Sequence, residues 1–92
     1  MKVDYKEVNA LADKLEYHFW QVPNTTVTVC VATLEGFQMG VGTSGCVDPA
    51  EFNAEIGKQV AQENAHAQAK DQIWVLKGAM LRGELFPGFL KA

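Results

Sequence analysis

Ninety-two residues, 48% apolar and 21% charged, describe one ordinary globular domain with a modest core, near the size at which oligomerisation often helps. The net charge of −3 argues against a general nucleic-acid binder, which needs a basic face for phosphates. No apolar run approaches a membrane span, and Met1-Lys2-Val3-Asp4 lacks a secretory signal pattern, so the expectation is a cytoplasmic protein without membrane contact.

Residues 4–19 read as a first helix. Asp4 is a candidate cap with Glu7 three residues on, and Val3 is placed to act as a staple before it. Tyr5, Val8, Leu11, Ala12, Leu15 and Phe19 recur on one helical face. His18, Phe19 and Trp20 close this segment before Val22-Pro23. They read as a core edge against a sheet, with a base-stacking platform as the alternative.

Two strands are predicted next, at 25–34 and 37–43, joined by a turn at Glu35-Gly36 into an antiparallel hairpin. Val27, Val29 and Val31 fall on one side of the first strand, and Phe37, Met39 and Val41 supply the matching apolar face of the second. A short third strand fits residues 45–47. Gly40-Val41-Gly42-Thr43-Ser44-Gly45 matches the G-x-G-x-x-G pattern, but no strand–helix junction follows it directly. It therefore reads as a glycine-rich edge or bulge, open to close approach by a small ligand, rather than as a dinucleotide fingerprint.

A long helix is predicted at 49–76, with Asp48 as cap, Pro49 at its first position and Glu51 completing a capping box. Phe52, Ile56, Val60 and Ala61 recur at helical spacing, and Ala65, Ala69, Ile73 and Leu76 continue the stripe. Lys77-Gly78 is expected to end or kink it. An apolar tail at 83–92, broken by Pro87 and Gly88, docks within the domain, docks on a neighbouring subunit, or frays. The fold class is thus α+β: N-terminal helix, β-hairpin or short antiparallel meander, long C-terminal helix.

No catalytic constellation is legible. His18 and His66 fall on different predicted helices, and Glu51 and Glu55 are explained by the helix dipole, so no enzyme is expected. Two cysteines and two distant histidines lack zinc-site spacing, so no metal or cofactor is expected. Cys30 and Cys46 read as two buried thiols rather than a disulfide. Asn64, in mid-helix, is either a structural hydrogen-bonding amide or one that reads a ligand.

An ordered series of segments carries a family resemblance: Val29-Cys30-Val31-Ala32-Thr33-Leu34 with Gly36-Phe37, Cys46-Val47-Asp48-Pro49-Ala50-Glu51-Phe52, Ile56-Gly57, Glu63-Asn64-Ala65 and Ile73-Trp74-Val75-Leu76-Lys77-Gly78. Over roughly residues 5 to 85 the chain resembles a small-protein family of tailed phages and prophages, the phage N4 / phage Sf6 accessory-protein family. That resemblance implies an accessory gene product acting in the host cytoplasm. In size, element order and an aromatic-plus-asparagine helix face the chain is also similar to the anti-Thoeris sponge proteins. These capture cyclic ADP-ribose isomers or cyclic oligonucleotides without cleaving them.

This second resemblance implies that a small cyclic nucleotide-type immune signal is sequestered at a pocket shared between subunits of a homo-oligomer, a dimer or higher. Phe52 and Trp74 would stack on the ligand, Asn64 would read it, and Lys58, Lys70 or Arg82 would meet its phosphates. Against this stands the plainer reading of Phe52 and Trp74 as core and of the lysines as solvated. Two other functions stay open: an inhibitor that binds a host enzyme, and a minor virion or DNA-packaging protein.

Overall fold

The computed structural model describes residues 1–92 and measures 55 × 30 × 21 Å. Helix α1 (Tyr5–Ala12) leads into strands β1 (Glu16–Gln21), β2 (Thr28–Leu34) and β3 (Phe37–Ser44). A single 3-10 turn at Pro49–Glu51 and helix α2 (Ala54–Leu85) complete the chain. The sheet is antiparallel in the order β1-β2-β3, and α2 lies across β2 and β3. The α+β arrangement read from the sequence is the one observed.

The first helix is shorter than its apolar period suggests. Asp4 caps it by accepting from the Lys6 backbone N–H at 2.9 Å, and Val8 and Ala12 are buried. Instead of continuing to residue 19 it ends at Ala12. Bonds from Lys14 N–H to Leu11 O and from Leu15 N–H to Ala12 O turn the chain, and Glu16 starts a strand. Tyr17, Phe19 and Trp20 are good strand formers, and here they find a ladder: Tyr17 opposite Ala32, Phe19 opposite Cys30, Trp20 opposite Val29. The third strand is therefore β1, and residues 45–47 form none.

The predicted hairpin forms as β2 and β3, starting at Thr28 rather than at residue 25. Its turn is made by Glu35 and Gly36, both at positive φ (51° and 82°), where glycine relieves one of two left-handed positions. A bulge lies beyond Ala32, which faces Gly40 while Thr33 faces Gln38. Met39 is thus the extra residue, and it is buried in the core.

The long helix departs from expectation at both ends. Asp48 does cap, accepting from Ala50 N–H at 2.9 Å, but only for the 3-10 turn. The chain is extended again at Phe52. Asn53 is the cap of α2, its Oδ1 accepting from Glu55 and Ile56 N–H at 3.0 and 3.2 Å. The helix then passes through Gly78 and Gly83 without ending, so the first residues of the predicted tail belong to it. Packing of α1 compensates for the weak helix former at 78, and an ion pair from Lys77 to Glu7 at 2.9 Å fastens the two helices.

The buried seam of α2 is Ala61, Ala65, Ala69 and Ile73, all at most 1% exposed, whereas Ile56 and Val60 of the predicted stripe are 58% and 39% exposed. This seam meets Thr28, Cys30, Ala32, Gly40 and Gly42, which are all buried. A side chain at Gly42 would run into the backbone of Ala61 and Ala65; at Gly40 a Cβ would lie 2.6 Å from Ala65 O and Ala69 N. The two glycines thus admit a helix rather than a ligand. The face carrying Val29, Val31 and Val41 points away from α2, the reverse of a core built on the valines.

Candidate functional site

Because α2 covers β2 and β3, the inner face of β1 is left partly open. One end of that face is closed by Tyr17, whose hydroxyl hydrogen-bonds His66 Nδ1 at 2.7 Å. Burial raises the Tyr17 pKa above its ordinary 10.0, with Cys30 and Asp13 acting in the same direction. Cys30 beneath is fully buried. Its thiol is pushed above the ordinary 9.0 by that burial, against a smaller opposing effect of a hydrogen bond from the His18 backbone.

Two residues along β1, on the same face, Phe19 is 38% exposed and opens a cleft of about 540 Å³ against the first turns of α2. Glu55, Lys58, Gln59, Gln62 and Glu63 line the helical side of the cleft together with Ile56. Gln59 Nε2 donates to Glu63 Oε1 at 3.3 Å, one turn along the helix. The volume falls within the range of small-molecule sites, about 300–1,000 Å³. Its walls hold one aromatic face, two amides that both donate and accept, one cation and two carboxylates.

A second cavity, about 220 Å³, sits under the 3-10 turn between Cys46, Phe52, Ile56 and Val60. Its margin is tied by structural hydrogen bonds. Ser44 Oγ donates to Gly57 O at 2.6 Å, and Thr26 Oγ1 donates to Cys46 O at 2.7 Å. Cys46 is half-buried, its thiol donating to Asp48 O at 3.1 Å, and both cysteines are free. This volume is below the usual ligand range and belongs to the junction that starts α2.

The six residues singled out from the sequence are distributed along the molecule. Lys58 lines the Phe19 cleft and Phe52 the smaller cavity. The Asn64 side chain is committed to structure, Nδ2 donating to Thr43 O at 2.9 Å on the outer edge of β3. Lys70 is half-buried, Trp74 is 39% exposed, and the Arg82 guanidinium lies 3.8 Å from the Phe86 ring centroid. From Lys58 to Arg82 the helix rises about 36 Å, too far for one small ligand within one chain. Phe19, Gln59 and Gln62 were missed as a group. The aromatic run at 18–20 was their only signal, and reading it as helix hid which face Phe19 takes.

No curated protein and no solved structure matches the chain. No helix is long and apolar enough to cross a membrane. The family model described as Phage protein (N4 Gp49/phage Sf6 gene 66) matches residues 3–85, which take in all of α1, the sheet and α2, and the chain belongs to that family.

Proposed function

We propose that this phage-family protein binds a small nucleotide-type signal in the Phe19 cleft and holds it without cleaving it. In an infected cell such capture would withdraw an immune signal, a cyclic ADP-ribose isomer or a cyclic oligonucleotide, from host anti-phage defence. The observation that carries this reading is the gathering of Phe19, Lys58, Gln59 and Gln62 around one volume of about 540 Å³. A purine stacks on an exposed aromatic ring, glutamine amides pair with base edges, a lysine meets phosphate, and Glu55 or Glu63 can accept from ribose hydroxyls. Of the residues first singled out, Lys58 stays in the site and Asn64 does not enter it.

Calorimetry against cyclic ADP-ribose isomers and cyclic di- and trinucleotides tests the reading. Binding should be stoichiometric, and heat denaturation should return the ligand intact. Phe19→Ala should weaken binding by about 5- to 150-fold, in line with a stacking contribution of about 1–3 kcal/mol. Lys58→Ala should weaken it in a salt-dependent way. If no member of the panel binds, or the ligand returns hydrolysed, the proposal fails.

A second reading, an inhibitor that docks on a host enzyme, is favoured by the far end of the molecule. Val75, Met80, Leu85, Phe86 and Leu90 are each at least 50% exposed there. Retention of one host protein in stoichiometric amount, lost in a Met80→Glu, Phe86→Glu double variant, would select this reading.

A further inference from the structure

The two edges of the sheet are treated differently. On β3 two outward backbone groups are occupied: Val41 N–H donates to Gln68 Oε1 at 2.6 Å, and Thr43 O accepts from Asn64 Nδ2 at 2.9 Å. Side chains of α2 thus stand where a further strand would pair. On β1 no such cover exists. Val22 N–H bonds Val27 O, and antiparallel alternation then turns the main-chain groups of Gln21, Phe19 and Tyr17 outward, away from β2. That edge has no lysine, proline or bulge, the devices that usually protect an open strand.

We infer that β1 pairs antiparallel with β1 of a second copy, across a two-fold axis at Phe19, to give one six-stranded sheet. The ladder of β1 with its neighbour runs from Glu16 to Val22, so its midpoint is Phe19. Centring there sets Tyr17 opposite the partner's Gln21, His18 opposite the partner's Trp20, and Phe19 opposite its own copy. Inner-face residues meet inner-face residues, as sheet continuity requires. Glu16 is the only acid or base other than His18 in the strand, and it meets the partner's Val22, so no like charges are opposed. The outer edges of the assembly are then both β3, already occupied by Asn64 and Gln68. Growth stops at two copies, which is why a second copy, rather than an open-ended stack, is the occupant.

The pairing joins the two Phe19 clefts. Neighbouring strands lie about 4.8 Å apart, so two α2 helices seated over β2 and β3 stand some 19–24 Å apart across the axis. Subtracting a helix diameter of about 10 Å leaves a trough about 10 Å wide, floored by both Phe19 rings and reached by both Lys58 side chains. Only this last consequence rests on the nucleotide reading; the strand pairing does not need a ligand.

The test uses the full chain in light scattering and site-directed cross-linking. The protein should run at twice its 10.1 kDa mass. Phe19→Pro removes an outward N–H while leaving the β1–β2 ladder intact, and should give a folded monomer. In a Cys30→Ala, Cys46→Ser background, which removes the thiol directly opposite position 19 on β2, Phe19→Cys should oxidise to a covalent dimer, since Cα atoms of a hydrogen-bonded pair lie about 5.5 Å apart, within disulfide range. Gln21→Cys, whose partner is Tyr17, should not. The inference is overturned by a monomeric parent protein, by a dimer that survives Phe19→Pro, or by equal cross-linking at 19 and 21. A dimer of this geometry that binds no nucleotide would sink the ligand proposal alone.

Discussion

The two faces of the sheet are built to opposite rules. Beneath α2, Gly40, Gly42, Cys30 and Ala32 meet Ala61, Ala65 and Ala69, and the contact is made at near-backbone distance with almost no side chain between. On the far face Val29, Val31 and Val41 are only half-buried, and Trp20 is 58% exposed. Hydrophobicity alone would have put the valines inside. The difference teaches that the fold selects its covered face by fit: many short-range dispersion contacts between closely apposed backbones outweigh the burial of three larger side chains.

The strongest way to break this contrast is Gly42→Ala. The new methyl group meets the backbone of Ala61 and Ala65, which cannot swing aside as a side chain could. Urea denaturation should show a loss of roughly 3 kcal/mol or failure to fold. A cost below about 1 kcal/mol would mean that the seam is not close-packed. The same change at Gly78 sharpens the point with the opposite sign. A Cβ there meets nothing within 4 Å, and Gly78→Ala should stabilise by roughly 0.5–1 kcal/mol through helix propensity.

Tyr17→Phe tests the inner face where it meets β1. It leaves His66 Nδ1 without its 2.7 Å partner and should cost about 1 kcal/mol. It should also change the pH dependence. Cys30 and Tyr17 both have raised pKa values, so in alkaline solution the folded protein retains protons that the unfolded chain has released. Their contribution is complete below about pH 9 and is lost as pH rises past the ordinary values of 9.0 and 10.0. The melting temperature should therefore fall as pH rises past 9.0 and continue to fall past 10.0, and fall less in Tyr17→Phe. The smallest effect is expected on the outer face: Val31→Thr should change stability by no more than about 0.5 kcal/mol if that face stays wet. A larger loss would show that something covers the valines.

The hairpin and the existence of a long helix were legible because each carries a local signal. Glu35-Gly36 marks the turn, and alanines recur every fourth residue from 61 to 69. The end of α1 was not, because Leu15 and Phe19 happen to continue the 3.6-residue period of Val8 and Ala12 although they belong to a turn and a strand. Only pairing with β2, whose partner residues lie 7 to 17 positions further along the chain, decides the matter. The cap of α2 was misplaced by five residues because Asp48 and Asn53 both cap something, and the sequence does not rank them. The site suffered most. Lys58 was named for its charge, but the aromatic side of its cleft, Phe19, comes from β1, which had been read as helix.

The close seam has a mechanical consequence. From Ala61 to Ile73 the helix is gripped over about 18 Å, and from Ile73 to Leu85 it runs on for about 18 Å, steadied at Lys77 by Glu7 of α1. The gripped length and the remainder act as the two arms of a lever. A change that lifts α2 at Ala61 by about 1 Å, pivoting at Ile73, carries Leu85 through about 1 Å in the opposite sense. Small residues along the seam therefore set not only how firmly the helix is held but also where Leu85 and Phe86 arrive in space.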